Sequence, residues 1–309
     1  MQPSLRSTSH LVHALPRPAL LGPTPLSHRK THTSPSPSPP SLSGLHALVT
    51  GASRGIGLST AHLLASHGCH LTLIARTPST LSVAQSTLPS PPPSSPPHRV
   101  VAGDISSRLF WKDLEQHIPR QERVDILVNS AGVSHQSLFL RTSEELVEQV
   151  VGTNLMGSLW GAKWVGRRMV RQGARKGEDE EKGEGKGQGG QVGKVGKGVI
   201  VNVASLLGTH GGMGSAAYAA SKAGVIGFTR ALAAELGPSG VRVNAVLPGY
   251  VQTDMTDAMT PGAREQAAAR IPLKRFGTAE EVADAVLFLI QNGYAHNCVL
   301  NLDGGLSAT

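Results

Sequence analysis

The chain has 309 residues, a formal charge of +8 and 39% hydrophobic residues with few aromatics, enough for a sizeable and mainly aliphatic core. The charge lies outside that core: residues 1–43 hold Arg6, Arg17, Arg29 and Lys30 without an acid, and 171–197 hold seven basic against five acidic residues, leaving about +2, so no nucleic-acid partner is expected. Cys69 and Cys298 lack CxxC spacing, the thirteen histidines form no ligand motif and no apolar run approaches membrane-span length, so no disulfide framework, no metal site and no membrane partner are expected.

Residues 1–43 are rich in Arg, Ser and Pro, and the first acidic residue of the chain is Asp104. This composition reads as a disordered organelle transit peptide, with the mitochondrial matrix favoured over the plastid, or as a disordered extension without an address. Pro16, Arg17 and Pro18 interrupt the only apolar stretch a secretory signal would need.

From residue 44 onward short aliphatic runs alternate with longer helical stretches. The runs are LHALVT (45–50), HLTLIA (70–75), HRVVA (98–102), VDILVN (124–129), GVIVNVA (198–204), VRVNAVL (241–247) and NCVLNL (297–302). Near-continuous apolar strands separated by helices predict a single α/β domain, a Rossmann-type doubly wound parallel sheet of about seven strands covered on both faces. Two insertions break the rhythm. PSPPPSSPP (89–97) is a surface loop, because proline neither donates to a ladder nor continues a helix. The stretch 171–197 has too many glycines and too little apolar surface to fold and is expected opposite the ligand rim.

TGASRGIG (50–57) directly follows the first predicted strand and opens a helix. Glycines there permit a tight turn and close backbone approach to a pyrophosphate, stabilised by free amides and the helix dipole. Gly51, Ser53, Arg54, Gly55, Ile56 and Gly57 are therefore candidate dinucleotide contacts. The second strand ends in Arg76 rather than an acid. Arg54 and Arg76 together suit a 2′-phosphate, which favours NADPH (NADP+) over NAD.

Tyr218 and Lys222 in YAASK are one helical turn apart. A phenol with an ordinary pKa near 10 is a reluctant acid, and an ammonium on the same helical face would stabilise the tyrosinate left after proton donation. Ser205 follows the fifth strand at the sheet end where open α/β folds place ligands, and its hydroxyl can hydrogen-bond a substrate carbonyl.

The TGxxxGIG loop, NSAG (129–132), Asn154 in TNLMG, Ser205 in NVAS, YAASK and PGYVQT (248–253) occur in the order of the short-chain dehydrogenase/reductase family, which the chain resembles from Leu45 to about Gly305. VNAVLPGYVQTDMT, IPLKRFGTAEEVADAV and LDGG are similar to the 3-oxoacyl-[acyl-carrier-protein] reductases of that family. The resemblance implies a catalytic set of Asn154, Ser205, Tyr218 and Lys222, with Asn154 holding a relay water, Tyr218 also touching the cofactor and Lys222 also binding the nicotinamide ribose. It further implies that Asp104 and Ile105 flank the adenine, that Asn129, Ala131 and Gly132 line the cofactor, and that Pro248, Val251 and Thr253 lie at the carboxamide. It also implies a homotetramer assembled through the helices of Asn154 and Tyr218.

The implied reaction is NADPH-dependent reduction of a 3-oxoacyl thioester on acyl carrier protein in fatty acid biosynthesis. A broad-specificity reductase of small carbonyl or quinone substrates is the alternative, since LLGTHGGMGSAA (206–217) would shape an open pocket; a non-catalytic NADPH-binding subunit is a third reading. Ser130 stands where the family usually has a second Asn, and Ser239 where these reductases commonly carry a carrier-docking arginine. Arg167, Arg168 and Arg171 remain as cations for that docking.

Overall fold

The computed structural model describes residues 42–173 and 196–308. The extension expected over 1–43 lies outside the described residues but for its last two, and there the expected boundary is corrected: Leu42 is fully buried in the core and its carbonyl accepts from the Leu45 amide at 3.1 Å. The interior of the insertion expected over 171–197 also lies outside the described residues.

Seven strands form, each within two residues of an aliphatic run: β1 (His46–Thr50), β2 (His70–Ala75), β3 (Arg99–Ala102), β4 (Ile126–Asn129), β5 (Gly198–Val203), β6 (Val241–Pro248) and β7 (Val299–Leu302). They pair in parallel in the order β3-β2-β1-β4-β5-β6-β7. β1, β4, β5 and β6 are buried along their whole length, because helices cover both faces of the sheet and leave no polar side to alternate with.

On one face α1 (Gly55–Ser66) and α2 (Pro78–Thr87) pack with α10 (Ala279–Gln291) around Leu64, Leu81, Val286 and Leu289. On the other, α3 (Arg108–Asp113), α5 (Gly157–Arg171) and α7 (Ala216–Leu236) enclose Trp111, Val165, Met169 and Val243. α4 (Glu144–Val151) begins at Ser143, whose hydroxyl accepts from the Leu146 amide, with Glu144 and Glu145 at the positive end of its dipole. It runs into α5 through a π-helical turn at Gly152–Met156. Short helices α6 (Leu207–His210) and α8 (Asp254–Asp257) follow β5 and β6, and α9 (Pro261–Arg270) leads on to α10.

The chain order reverses between β1 and β4, so the crevice above their C-terminal ends is the topological switch point, the place for a ligand in open parallel sheets. The loop at 89–97 is irregular, as expected. It is pinned by His98, whose ring accepts from the Leu71 amide at 3.1 Å and donates to the Pro89 carbonyl at 2.8 Å.

At the opposite end of the sheet the fold assembles a cluster that no motif announced: His46, His70 and Glu122 bring possible ligand atoms within 4.8 Å of one another. Its chemistry is hydrogen bonding. Nδ1 of His46 donates to the Arg123 carbonyl at 2.7 Å, its Nε2 accepts from Thr72 at 2.9 Å, and Glu122 pairs with Arg99 at 3.0 Å. The two imidazoles stack with centroids 4.4 Å apart and planes 21° from parallel, so their in-plane lone pairs do not converge on one point. Burial lowers the His46 pKa and keeps the ring neutral. No helix among the described residues is long and apolar enough to cross a membrane.

Candidate active site

The loop after β1 is shaped by its glycines. Gly51 and Gly55 have φ of +68° and +54°, accessible to glycine at little cost. A Cβ on Gly51 would lie 2.7 Å from the Ala131 α-carbon, and one on Gly57 would collide with the Gly51 carbonyl oxygen. Thr50, which sequence reasoning passed over, fixes this contact: its hydroxyl accepts from the Ser130 and Ala131 amides, each at 3.2 Å. Ser130 therefore keeps its main-chain place at the rim without the usual second Asn.

α1 then starts without a side-chain cap and without an acid in its first turn. Its leading amides and the positive end of its dipole remain available to an anion. Uncapped amides over a glycine turn that tolerates no Cβ fit a dinucleotide pyrophosphate. Ser53 sits partly exposed in that turn, while Ile56 packs against the core.

The two predicted phosphate-binding arginines differ. Arg76 is exposed directly after β2 and makes no ion pair with any described residue. Arg54 is not free: its guanidinium pairs with Asp254, at the start of α8, at 2.9 Å. Both partners of that pair are well exposed, so exchange of the carboxylate for a phosphate costs little.

Elsewhere on the rim, side chains and main chain divide the work. Asp104 is exposed and accepts from the Ser106 amide and hydroxyl at 2.9 and 2.8 Å. Ile105 instead turns its side chain onto Gly157 of α5, and its carbonyl accepts from the Trp111 indole at 2.8 Å. Asn129 is buried, donating to Asn202 at 2.9 Å and to the Ser158 carbonyl at 3.3 Å, so it offers the crevice main chain only.

Pro248 accepts from the Leu206 amide at 3.0 Å, which ties the loops after β5 and β6. Val251 is buried and bridges to Gly277. Thr253 caps α8 and approaches the glycine loop, its methyl lying 3.4 Å from where a Gly55 Cβ would be.

The four predicted catalytic residues come together at the C-terminal ends of β4 and β5. Lys222 is buried, and its ammonium donates to the Val203 carbonyl at 2.8 Å and lies 5.8 Å from the Tyr218 ring centre. A Cβ on Gly132 would lie 3.3 Å from Asn154 Oδ1 and 3.5 Å from Lys222 Nζ. Glycine thus opens the space between the loop after β4 and the catalytic helix. Gly208 serves α6 similarly, since a Cβ there would lie 2.8 Å from the Lys222 carbonyl carbon.

Asn154 lies in the π-helical turn, fully buried. Its side chain accepts from the Val133 amide at 2.8 Å and donates to the Val133 carbonyl and to Ser221, both at 3.0 Å. Ser221 in turn donates to the Tyr218 carbonyl at 2.7 Å. The amide thus locks loop and helix together, and any relay water would have to meet the main chain of the turn. Ser221 stood inside YAASK unremarked, because a helical serine usually bonds only its own preceding turn.

Electrostatics at the pair differ from the expectation. Burial raises the Tyr218 pKa, and the opposing influence is a hydrogen bond from Ser205 rather than the charge of Lys222. Burial also lowers Lys222 to about 8. Over the neutral range the phenol holds its proton and the lysine its charge, the correct starting states for donating a proton to a ketone. Among the cations expected for carrier docking, Arg168 is instead committed internally: it donates to the Ile118 and Pro119 carbonyls at 2.8 and 2.7 Å and stacks on Trp164 at 3.9 Å.

Known proteins resemble the chain over most of its length. The chain is 38% identical over 262 residues to carbonyl reductase family member 4 of Danio rerio, covering 84% of this chain and 97% of that protein. It is 34% identical over 264 residues to the 3-oxoacyl-[acyl-carrier-protein] reductase FabG of Chlamydia muridarum, covering 84% and 96%. The chain is a short-chain dehydrogenase/reductase.

The short chain dehydrogenase family model matches residues 45–178 and the Enoyl-(Acyl carrier protein) reductase model matches 191–307. A solved structure assigned as an NAD(P)-dependent gluconate 5-dehydrogenase from Beutenbergia cavernae, with NADP bound at low occupancy, superposes with a TM-score of 0.74 at 31% identity. It covers 87% of this chain and 99% of that one. This short-chain dehydrogenase/reductase is accordingly an NAD(P)-dependent oxidoreductase acting on a carbonyl/alcohol pair, and the expected nicotinamide cofactor stands.

Proposed function

We propose that this reductase uses NADPH to convert a 3-oxoacyl thioester on acyl carrier protein to the 3-hydroxyacyl form in fatty acid biosynthesis. The observation that carries the chemistry is the approach of Ser205, Tyr218 and Lys222 at the C-terminal end of β5. The relatives that bear the carrier-protein reductase name support the substrate class.

When bound, the reduced nicotinamide supplies the hydride that adds to the ketone carbon. Ser205 donates to the ketone oxygen and fixes its position beside the phenol. Tyr218 transfers its proton to that oxygen as charge develops there. The Lys222 ammonium, held by the Val203 carbonyl, stabilises the tyrosinate until it is reprotonated. The Gly51–Gly57 loop and the α1 amides hold the pyrophosphate, and Arg76, with Arg54 once released by Asp254, takes the 2′-phosphate. Tyr218→Phe is expected to lower kcat roughly 10²- to 10⁴-fold with NADPH affinity retained; unchanged turnover would remove Tyr218 from the chemistry.

A second reading, reduction of quinones and small carbonyls, is favoured by the identity with carbonyl reductase family member 4. The same proposal includes a homotetramer formed through α5 and α7, where exposed Ala223, Gly227 and Ala231 leave a flat surface for a second copy. It also includes delivery to the mitochondrial matrix by the acid-free segment 1–43.

A further inference from the structure

One ion pair joins two distant segments that both belong to the cofactor rim. Arg54 directly precedes the first residue of α1 and Asp254 is the first residue of α8. Nη1 of Arg54 donates to Oδ2 of Asp254 at 2.9 Å. The segments that carry the pair also touch beside it: the methyl of Thr253, the residue before Asp254, lies 3.4 Å from where a Cβ on Gly55, the residue after Arg54, would be. The Thr253 amide donates to the Thr256 hydroxyl at 3.0 Å, which fixes the start of α8 and with it the short side chain of Asp254.

Arg54 also belongs to the part of the glycine loop that meets β2. The Ala52 amide donates to the Ile74 carbonyl at 3.2 Å, and Arg54 and Arg76 each stand two residues beyond one of these partners. Two exposed arginines thus flank a single crossing of the chain. Arg76 pairs with no acid among the described residues, whereas Arg54 is held by Asp254. That carboxylate occupies one nitrogen of the guanidinium and sets a like charge beside any phosphate approaching it. A ribose with a free 2′-hydroxyl brings no such charge and leaves the pair undisturbed.

We propose that Asp254 is a specificity-determining residue, its carboxylate competing with the 2′-phosphate of NADPH for Arg54 and so narrowing the preference for NADPH over NADH. The proposal rests on the reading that Arg54 and Arg76 take the 2′-phosphate, and it adds a residue that opposes them. The side chains of Arg54 and Asp254 are 71% and 63% exposed, so water and salt screen the competition and keep its size modest.

The test measures binding to the full chain by titration calorimetry with two pairs of ligands, NADPH against NADH and adenosine 2′,5′-bisphosphate against 5′-AMP. Within each pair the 2′-phosphate is the only difference. Asp254→Asn keeps the shape of the side chain and removes its charge; Asp254→Ser gives the same readout should the first variant shift the melting temperature. The expected result is a Kd lowered about two- to fivefold for NADPH and the bisphosphate, with the Kd for NADH and 5′-AMP unchanged. The gain shrinks as salt is raised. Arg54→Gln raises the NADPH Kd, and in that background Asp254→Asn has no further effect, because the two residues act through one contact.

Equal gains for both members of a pair would make Asp254 a general repulsion of anions, and a loss of NADPH affinity would make it a support that holds Arg54 in place. Either result overturns the assignment, as does an unchanged NADPH Kd. A wild-type chain that binds NADPH and NADH equally, at a ratio that Arg54→Gln leaves unaltered, would instead remove the 2′-phosphate reading, and this assignment with it.

Discussion

Tyr218 and Lys222 begin from opposite perturbations with one cause, the burial of both groups. Burial pushes the phenol up and the ammonium down to about 8. The consequence for pH follows from the sign. Lys222 is protonated below about 8 and neutral above it, and the tyrosinate formed by proton donation needs that charge. kcat/KM for ketone reduction should therefore be level through the neutral range and fall as pH rises through about 8. A steady-state pH series checks this, and a profile that stays level beyond pH 9 would remove the dependence on Lys222 charge.

The residue scale is also where sequence is least informative. YAASK and Ser205 were readable because their chemistry demands those residue types at that spacing. Thr50 and Ser221 were not, because each matters only through a contact made across the fold. The partners of Arg54 and Arg168 were hidden for the same reason: a guanidinium reads alike in sequence whether it faces Asp254, two carbonyls or a phosphate.

At the scale of elements the seven strands were legible because both faces of the sheet are covered, which forces continuous aliphatic runs of strand length. The π-helical turn at Gly152–Met156 and the short helices α6 and α8 were not, since their hydrogen-bond pattern comes from packing rather than from a periodic sequence. The glycine loop was legible as a motif, but the reason for each glycine came from the neighbours a Cβ would meet. Gly51→Ala adds a methyl 2.7 Å from the Ala131 α-carbon at a φ of +68°. It should weaken NADPH binding by about 5- to 150-fold, from strain of roughly 1–3 kcal/mol in the loop. Isothermal titration with NADPH measures this, and unaltered affinity would detach the loop from the cofactor.

For the molecule as a whole, the parallel sheet separates chemistry from decoration. The residues proposed as catalytic and the glycine loop share its C-terminal edge. The stems of the long insertion lie at the other edge, where the Gln172 side chain donates to the Val124 and Lys197 carbonyls at 2.9 and 2.6 Å and Arg123 donates to the Gly173 carbonyl at 2.7 Å. Replacing residues 174–195 by a short Gly-Ser linker should leave kcat within about twofold, as for an insertion on the far side of a rigid scaffold. A collapse of turnover in protein of unchanged melting temperature would place the insertion in the reaction.

On the proposed function, substrate choice belongs to that C-terminal edge. The most direct measurement of the central claim is the kcat/KM of the chain lacking residues 1–41, which keeps the buried Leu42, with NADPH, for a 3-oxoacyl-acyl-carrier thioester against that for a quinone. The account predicts a preference of at least about tenfold for the thioester, since one unmatched polar contact discriminates on that scale. Equal efficiency, or a preference for the quinone, would contradict it.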